Sequence, residues 1–418
     1  MRLRKNSIKV AGCLAAALAV FAMGVNCARY VPAVKRVIYS AFDFNFGFDA
    51  ARLARADGNP PLLHNLGDLL VDNVEKPFLS RVSNDNIYMY IYCMDLDGFP
   101  FLEENDYLLN RLVVNKHYSE GVDQYAQNTA GGRIRFKTDS PTIDIKITLD
   151  KPIFVPWASH YSTAGTDVYK IVDGERIWLA TISPYSENER NLNQNITVGN
   201  GAEMTDIVIY LPQYAQIDNF EIGLEKGSHI ASPTPYTIEK PIVFYGSSIT
   251  QGSSASRSGL SLPALVANRR DADFVNFGFS GFARGEQSVA EEITRIDMSA
   301  FVMEYDHNAD TPEDLAKTHY AFYKTVRDAH SKVPIVMLSR ISGGYSISES
   351  EAAERTDIIR QTYERAKSDG DNNVFLIDGS NLFLKNAEFY LADGKHPNDL
   401  GMTVIAEAIE KCLGALEK

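Results

Sequence analysis

The spacing of apolar residues changes once along this chain, near residue 240, and this change limits the possible folds more than any other feature. From about 131 to 225, apolar and polar residues alternate, as in Ile143, Ile145 and Ile147 with polar residues between them. Period two is typical of strands with one buried face, so this region predicts a β-sandwich, jelly-roll-like domain. After Lys240, short continuous apolar runs alternate with amphipathic segments; the runs lie at 241–245, 274–277, 300–305, 334–338 and 374–377. That pattern predicts an α/β domain in which helices cover both faces of a parallel five-stranded sheet.

A proline-containing segment between these two patterns sets the expected domain boundary. The segment Ala-Ser-Pro-Thr-Pro at 231–235 is a linker, which gives an N-terminal β-sandwich domain at 29–235 and an α/β domain at 240–418. Residues 29–128 carry no clear pattern, apart from a strand predicted at 87–93. In the second domain, Thr311-Pro312 and Ser348 with Glu351 are typical helix starts, and a last helix is expected near Gly401.

The first 28 residues have the composition of an export signal. Four cations (Arg2, Arg4, Lys5 and Lys9) precede an apolar stretch, 10–25, that is too short to span a bilayer comfortably. We therefore expect a signal peptide at 1–28 and an exported bacterial protein: periplasmic, extracellular or a surface lipoprotein. Cleavage is expected near Cys27 or Ala28, and lipid attachment at Cys27 stays open.

Charge and cysteine content exclude several classes of partner. The formal net charge is -13, and it becomes -17 once the four cations of residues 1–28 are removed. So negative a chain disfavours nucleic acid or an anionic membrane as its partner and favours a neutral substrate. Cys93 and Cys412, the cysteines after the signal, form no disulfide framework, and no ligand spacing indicates a metal. We expect neither a metal nor an organic cofactor, and the oligomeric state is left open.

Four polar or glycine-rich clusters follow the predicted strands, where ligands of parallel sheets bind. They are Gly246–Gly252 with Ser248, Asn276–Gly281, Glu304–Asn308, and Asp393–Asn398 with His396. A serine at a strand-to-helix turn exposes its hydroxyl. An aspartate three residues before a histidine can fix the imidazole tautomer that is able to deprotonate such a hydroxyl. Glycine N–H groups and an asparagine amide are donors to an oxyanion. Taken alone, each cluster is commonly only a set of residues that favour a turn.

Together and in this order, the four clusters resemble the SGNH/GDSL hydrolase family over about residues 241–418. The resemblance implies a flavodoxin-like three-layer domain in which Ser248 is the nucleophile and Asp393 and His396 complete the triad. It also implies an oxyanion hole formed by Ser248, Gly281 and Asn308. Two positions depart from the family pattern: Ser247 replaces the usual aspartate, and the asparagine block ends Tyr-Asp-His-Asn instead of the common Gly-x-Asn-Asp.

A second resemblance lies upstream, where Gly165-Thr166-Asp167-Val168-Tyr169 is similar to the G-x-D-L-Y signature of a β-rich domain that precedes some bacterial SGNH enzymes. This GxDLY-like part covers about 129–235. The resemblance implies a secreted serine esterase that removes O-acetyl groups from oligo- or polysaccharides through an acyl-enzyme. A short-chain lipase, a thioesterase or a peptidoglycan-tailoring esterase is the alternative within the fold. An idle glycan-binding protein is the alternative from another class.

Three further side chains have open roles. Trp157 and Trp178 could stack on a sugar ring, but packing inside the sandwich is the favoured interpretation because large aromatics usually anchor such interiors. His307 adjoins Asn308, so its participation is an open question.

Overall fold

The computed structural model describes residues 69–73, 79–341, 347–383 and 385–414. All of them belong to one unit of the chain, Pro61–Lys418. The predicted signal peptide, and residues 29–68 after it, lie outside the described residues. Within the described ranges, no helix is both long and apolar enough to cross a bilayer.

The N-terminal part consists of two antiparallel sheets, which confirms the predicted sandwich. One sheet has the order β1-β12-β5-β10-β7-β8, with β4 also paired to β5, and the other has the order β2-β3-β11-β6-β9. The strands are β1 Leu69–Leu70, β2 Leu79–Val82, β3 Asn86–Tyr90, β4 Asp95–Asp97, β5 Arg133–Thr138, β6 Thr142–Asp150, β7 Thr166–Val172, β8 Glu175–Ile182, β9 Asn191–Thr197, β10 Thr205–Tyr210, β11 Gln216–Glu225 and β12 His229–Ala231. Two short helices, α1 Glu120–Ala126 and α2 His160–Thr163, lie between strands.

Period-two alternation is confirmed in β6, where Ile143, Ile145 and Ile147 are buried and the residues between them are half-buried. In β5 the expectation of one exposed polar face is wrong. Arg133 and Arg135 are buried as well: Arg133 packs against the C-terminal domain, and Arg135 packs against β4 and the linker. Arg133 forms an ion pair with Asp273 and donates to the carbonyl of Phe274.

The C-terminal part is the predicted three-layer α/β domain. Its strands are β13 Ile238–Gly246, β14 Ala272–Gly278, β15 Ala300–Glu304, β16 Ile335–Leu338 and β17 Val374–Ile377. All pair in parallel in the order β14-β13-β15-β16-β17, which is the flavodoxin-like order. Its helices are α3 Ser248–Gln251, α4 Leu262–Arg270, α5 Gln287–Ile293, α6 Pro312–Ala329, α7 Glu349–Ser368 and α8 Asp399–Gly414.

Two apolar cores lie on opposite faces of this sheet. Residues of α4 and α8 pack on one face, and residues of α5, α6 and α7 pack on the other. The predicted helix starts are confirmed: Thr311 accepts a hydrogen bond from the Asp314 N–H, and Ser348 from the Glu351 N–H. The last helix begins at Asp399, slightly before the expected Gly401, because the Asn398 side chain accepts the N–H groups of Leu400 and Gly401.

Residues 99–128, which the sequence pattern left unassigned, pack on the C-terminal domain. Phe101, Leu112 and Val122 share a buried core with residues of β14 and α5. Fully buried Arg111 donates to the carbonyls of Asn276 and Gly278 at the end of β14. This segment therefore supports the loop that follows β14, where Gly281 lies.

Candidate active site

Ser248 is the first residue of the short helix α3, directly after β13. Ser247 caps this helix, because its Oγ accepts the Ile249 N–H at 3.1 Å. Gly278 lets the end of β14 approach helix α3 closely, since a Cβ at this position would lie 2.1 Å from the Gln251 nitrogen. The turn thus places the Ser248 side chain, which is only 4% exposed, at the carboxyl edge of the sheet.

The structure brings Ser248, His396 and Asp393 together in a hydrogen-bonded chain. Ser248 Oγ lies 2.9 Å from His396 Nε2, and His396 Nδ1 lies 2.8 Å from Asp393 Oδ2. The second carboxylate oxygen of Asp393 accepts the backbone N–H groups of Lys395 and His396. With its Nδ1 proton donated to the carboxylate, the imidazole presents an unprotonated Nε2 to the serine hydroxyl.

The electrostatics favour the resting state that a general base requires. Burial lowers the pKa of His396, although the neighbouring Asp393 carboxylate acts in the opposite direction. For Asp393, burial acts upward, but hydrogen bonds from the His396 main chain and ring outweigh it and lower the pKa. At neutral pH the histidine is therefore neutral and the aspartate is ionised.

The two residues predicted as further oxyanion donors lie on neighbouring loops. Gly281 has φ 78°, a conformation that suits glycine. Asn308 is buried, and its Nδ2 donates to the Phe279 carbonyl at 3.2 Å, which leaves its second amide hydrogen available. In the described part of the chain, the N–H groups of Ser248 and Gly281 have no hydrogen-bond acceptor. The Ser280 N–H donates to Gln251 Oε1, which ties this loop to the Ser248 helix.

Glu304, at the end of β15, was missed by the sequence interpretation. Its buried carboxyl group accepts the Ser247 N–H, the Ser247 hydroxyl and the Thr250 hydroxyl. It thereby supplies the acidic group that the replacement of aspartate by Ser247 removes. Burial, together with Asp306, raises the pKa of Glu304 to about 8. The available signal was an acid at the end of an otherwise apolar strand.

Glu304→Gln should remove one source of pH dependence in stability. The pKa of about 8 in the folded protein exceeds the ordinary 4.5, so folded Glu304 retains a proton that the unfolded chain releases. Between these values, rising pH should lower the free energy of unfolding of the wild type relative to the variant, by up to about 1.4 kcal/mol per pH unit. Urea unfolding at several pH values measures the difference, with exposed Glu313→Gln as the control. Parallel pH profiles for wild type and Glu304→Gln would contradict the assignment.

His307, whose role the sequence left open, adjoins the site, and its ring has no hydrogen-bond partner among the described residues. Both ring nitrogens are buried, and burial lowers the pKa of His307 well below its ordinary value, so the ring is neutral. Glu304, Asp306 and His307 place potential metal ligands within 4.8 Å of one another. However, Glu304 is already engaged by the hydroxyls of Ser247 and Thr250, and one Asp306 oxygen accepts the Arg340 N–H. These bonds give the carboxyl groups partners within the protein.

The favoured interpretation of the two tryptophans is wrong, because both lie at the surface of the sandwich. Trp157 is 36% exposed, and its ring stacks on His396 with centroids 5.2 Å apart and planes at 6°. Trp178 is 49% exposed, and its Nε1 donates to Asp167.

Asp167 of the G-x-D-L-Y-like motif joins the two domains. It is fully buried and accepts hydrogen bonds from the side chains of Tyr169, Trp178 and Thr181. From the C-terminal domain it accepts the Gly259 N–H and pairs with Arg257. Because the 257–259 segment follows the Ser248 helix, this motif holds the sandwich beside the candidate site.

Comparison with known families agrees with this arrangement. Residues 239–414 match the GDSL-like lipase/acylhydrolase family, and residues 94–230 match the GxDLY domain found at the N-terminus of SGNH-type esterases. The chain is an ester hydrolase of the SGNH/GDSL type. The two matched regions fall on the α/β domain and on the sandwich with the 99–128 segment, respectively.

Two solved structures resemble this SGNH/GDSL hydrolase over most of its length. A protein of Bacteroides ovatus ATCC 8483 that bears the name GDSL-like lipase is 27% identical, with a TM-score of 0.71, over 79% of this chain and 98% of that one. The salicylyl-acyltransferase SsfX3 of a tetracycline biosynthetic pathway is 20% identical, with a TM-score of 0.60, over 81% and 92%, and shares the fold. No curated protein matches the SGNH/GDSL hydrolase.

Proposed function

We propose that this hydrolase is an exported carbohydrate O-acetylesterase in which Ser248, His396 and Asp393 act as a catalytic triad. The observation that carries the proposal is the continuous hydrogen-bonded chain from Ser248 Oγ through His396 to Asp393. Its geometry matches the roles of nucleophile, general base and orienting carboxylate. The basic and apolar segments of residues 1–28 support export.

In the proposed reaction, the Ser248 oxygen attacks the acyl carbonyl carbon while its proton moves to His396 Nε2. The Ser248 and Gly281 N–H groups and the Asn308 amide donate to the oxyanion of the tetrahedral intermediate. When the intermediate collapses, the bond to the alcohol oxygen breaks and His396 returns the proton to that oxygen. Water then attacks the acyl-enzyme by the reverse sequence and releases the acid. Each oxyanion donor of this kind typically lowers the barrier by about 2.7–4 kcal/mol.

The shape of the surface beside the triad supports a bulky, polar leaving group. A cleft of about 640 Å³ lies at Asp393, beside His396, and is lined by Pro156–Ser159 from the sandwich and by Ala392 and Asp393. Because His396 must protonate the departing oxygen, the alcohol side of the ester lies near the imidazole, and Trp157, which stacks on that ring, also lines this cleft. An open cleft with an exposed tryptophan and a carboxylate suits a saccharide, which has both apolar ring faces and hydroxyl groups.

The surroundings of the nucleophile support a small acyl group. Ser248 is 4% exposed and Asn308 is 8% exposed, so the nucleophile and the asparagine donor present little open surface, although Gly281 is exposed. The acyl carbon must reach this confined nucleophile, whereas the leaving group lies toward the open cleft. This asymmetry favours an acetylesterase over the lipase or thioesterase alternative. The intact hydrogen-bonded chain disfavours the idle glycan-binding alternative.

A substrate panel tests the proposed specificity. Purified enzyme is assayed for acid release from acetylated xylan, mannan and peptidoglycan, and from p-nitrophenyl acetate and p-nitrophenyl octanoate. We expect hydrolysis of the acetyl ester at least about 100-fold faster, in kcat/KM, than of the octanoyl ester, because a misplaced acyl group forfeits orientation. Acetate release from a polysaccharide would support the carbohydrate substrate. Faster turnover of the octanoyl ester would favour a lipase, and release from peptidoglycan alone would favour a cell-wall esterase.

A further inference from the structure

Trp157 lies against the imidazole of His396, although it belongs to the sandwich domain. It is carried by the connection between β6 and α2, and its ring plane is within 6° of the His396 plane at a centroid distance of 5.2 Å. The mechanism described above assigns this indole no part. A parallel aromatic ring on one face of a proposed general base nevertheless restricts how that base can move.

Hydrogen bonds fix the indole to the chain that carries the nucleophile. Trp157 Nε1 donates to Ser253 Oγ at 2.9 Å, and the Ser254 hydroxyl donates to the Trp157 carbonyl at 2.9 Å. These two serines come directly after Gly252, the residue that ends the Ser248 helix. The side chain and the main chain of Trp157 are thus both hydrogen-bonded to the segment that follows the Ser248 helix.

The imidazole needs such support because its own hydrogen bonds leave one motion open. Contacts at Nε2 and Nδ1 fix two points of the ring. Rotation about the line through these atoms keeps both distances almost unchanged but tilts the Nε2 lone pair away from the serine hydroxyl. A ring stacked in parallel on one face opposes this rotation by direct van der Waals contact.

We propose that Trp157 is a positioning residue for His396, so that the sandwich domain supplies part of the catalytic apparatus. The inference rests on the proposed role of His396 as the base. In the resting enzyme the indole keeps Nε2 directed at Ser248 Oγ. When the proton arrives, the imidazolium lies against the π face of the indole, an arrangement that favours a cation.

The charged and titratable groups that face His396 are the same with or without the indole. They are Asp393, Lys395 and the neutral His307. Burial is the main cause that lowers the pKa of His396. Removing the indole would admit water to one face of the ring and would also remove the π face that favours the cation; because burial is the larger influence, this pKa should rise toward its ordinary value.

A competing interpretation is that Trp157 only fills the gap between two domains. In that case, smaller side chains would lower stability but leave the folded enzyme with normal kcat and a normal pH profile. Phenylalanine and leucine separate the two interpretations, because both fill the space while only phenylalanine retains a flat ring.

The test compares Trp157→Phe, Trp157→Leu and Trp157→Ala on p-nitrophenyl acetate, whose leaving group makes no sugar contacts. We expect Leu and Ala to lower kcat by about 10- to 100-fold with little change in KM, because misorientation of a catalytic group acts on the chemical step. Phe should stay within about threefold of wild type if a ring is what positions the base. In the Ala variant, the acid limb of the profile of kcat/KM against pH should move to higher pH.

The control is Trp178→Phe, which changes the same residue type in the same domain at a site bonded to Asp167 and Thr181. It should keep the wild-type kcat and acid limb. Wild-type kinetics in the Leu variant, or equal losses for Phe and Leu, would overturn the inference; these two variants decide even if the Ala variant does not fold. Labelling of wild-type Ser248 by a fluorophosphonate is measured in parallel. Its absence would refute the proposed triad itself, whereas labelled wild type with unaffected Trp157 variants refutes only the positioning role.

Discussion

Ser248→Ala should lower kcat for ester hydrolysis by about 10⁶-fold, the loss typical when the nucleophile of a serine triad is removed. Alanine leaves the fold intact, since Ser248 Oγ bonds only to His396 among the described side chains. Without this oxygen no acyl-enzyme can form, and only oxyanion stabilisation of direct attack by water remains. The measurement is kcat on p-nitrophenyl acetate, with circular dichroism to verify folding.

Ser247→Ala is the matched control, because it removes the adjacent hydroxyl. Ser247 caps the helix and bonds to Glu304, so the variant should lose about 1 kcal/mol of stability. Its turnover should stay within about tenfold of wild type, since the loss of a cap shifts a turn but removes no reacting group. If Ser247→Ala were the inactive variant and Ser248→Ala the active one, the assignment of the nucleophile would be off by one position.

Asp393→Asn should lower kcat by about 10⁴-fold, as expected when an asparagine amide stabilises the wrong imidazole tautomer. In the wild type, Asp393 accepts the Nδ1 proton of His396 at 2.8 Å. An amide that donates at this position would move the proton to Nε2, which could then no longer accept the proton of Ser248. The backbone N–H groups of Lys395 and His396 can still bond to the amide oxygen, so the turn itself should survive.

The pH profile adds a second expectation for this variant. Burial lowers the pKa of His396, and the Asp393 carboxylate opposes that effect. Wild-type activity should therefore fall only below pH 6.5, the ordinary pKa of histidine, and the residual activity of Asp393→Asn should persist to still lower pH. Asp399→Asn is the control, because this neighbouring carboxylate accepts only the Ser256 N–H among the described contacts. A loss of less than tenfold in Asp393→Asn would contradict an orienting role for Asp393.

The fold could be predicted where local sequence decides it. Continuous apolar runs identified the five parallel strands, because strands buried on both faces tolerate few polar residues. Thr311 and Ser348 identified helix starts, because a cap depends on residues three positions apart. The site clusters could be located because parallel strands end at one edge of the sheet.

Features that depend on contacts between distant residues could not be predicted. Arg133 and Arg135 alternate with apolar residues as on a solvent-facing strand face, but Arg133 is covered by the second domain and Arg135 by β4 and the linker. Trp157 lies more than 200 positions before His396, so no local pattern links them. The partner of Ser247 is Glu304, 57 residues away, and the spacing of the motif gave no indication that a distant acid replaces the usual aspartate.

The most direct test of the central claim is to locate the covalent adduct after wild-type enzyme reacts with a fluorophosphonate. Proteolysis and tandem mass spectrometry identify the modified residue, with His396→Ala treated in parallel. We expect modification at Ser248 in the wild type and a much slower reaction in His396→Ala. Modification at another residue, or equal rates in both proteins, would contradict this claim.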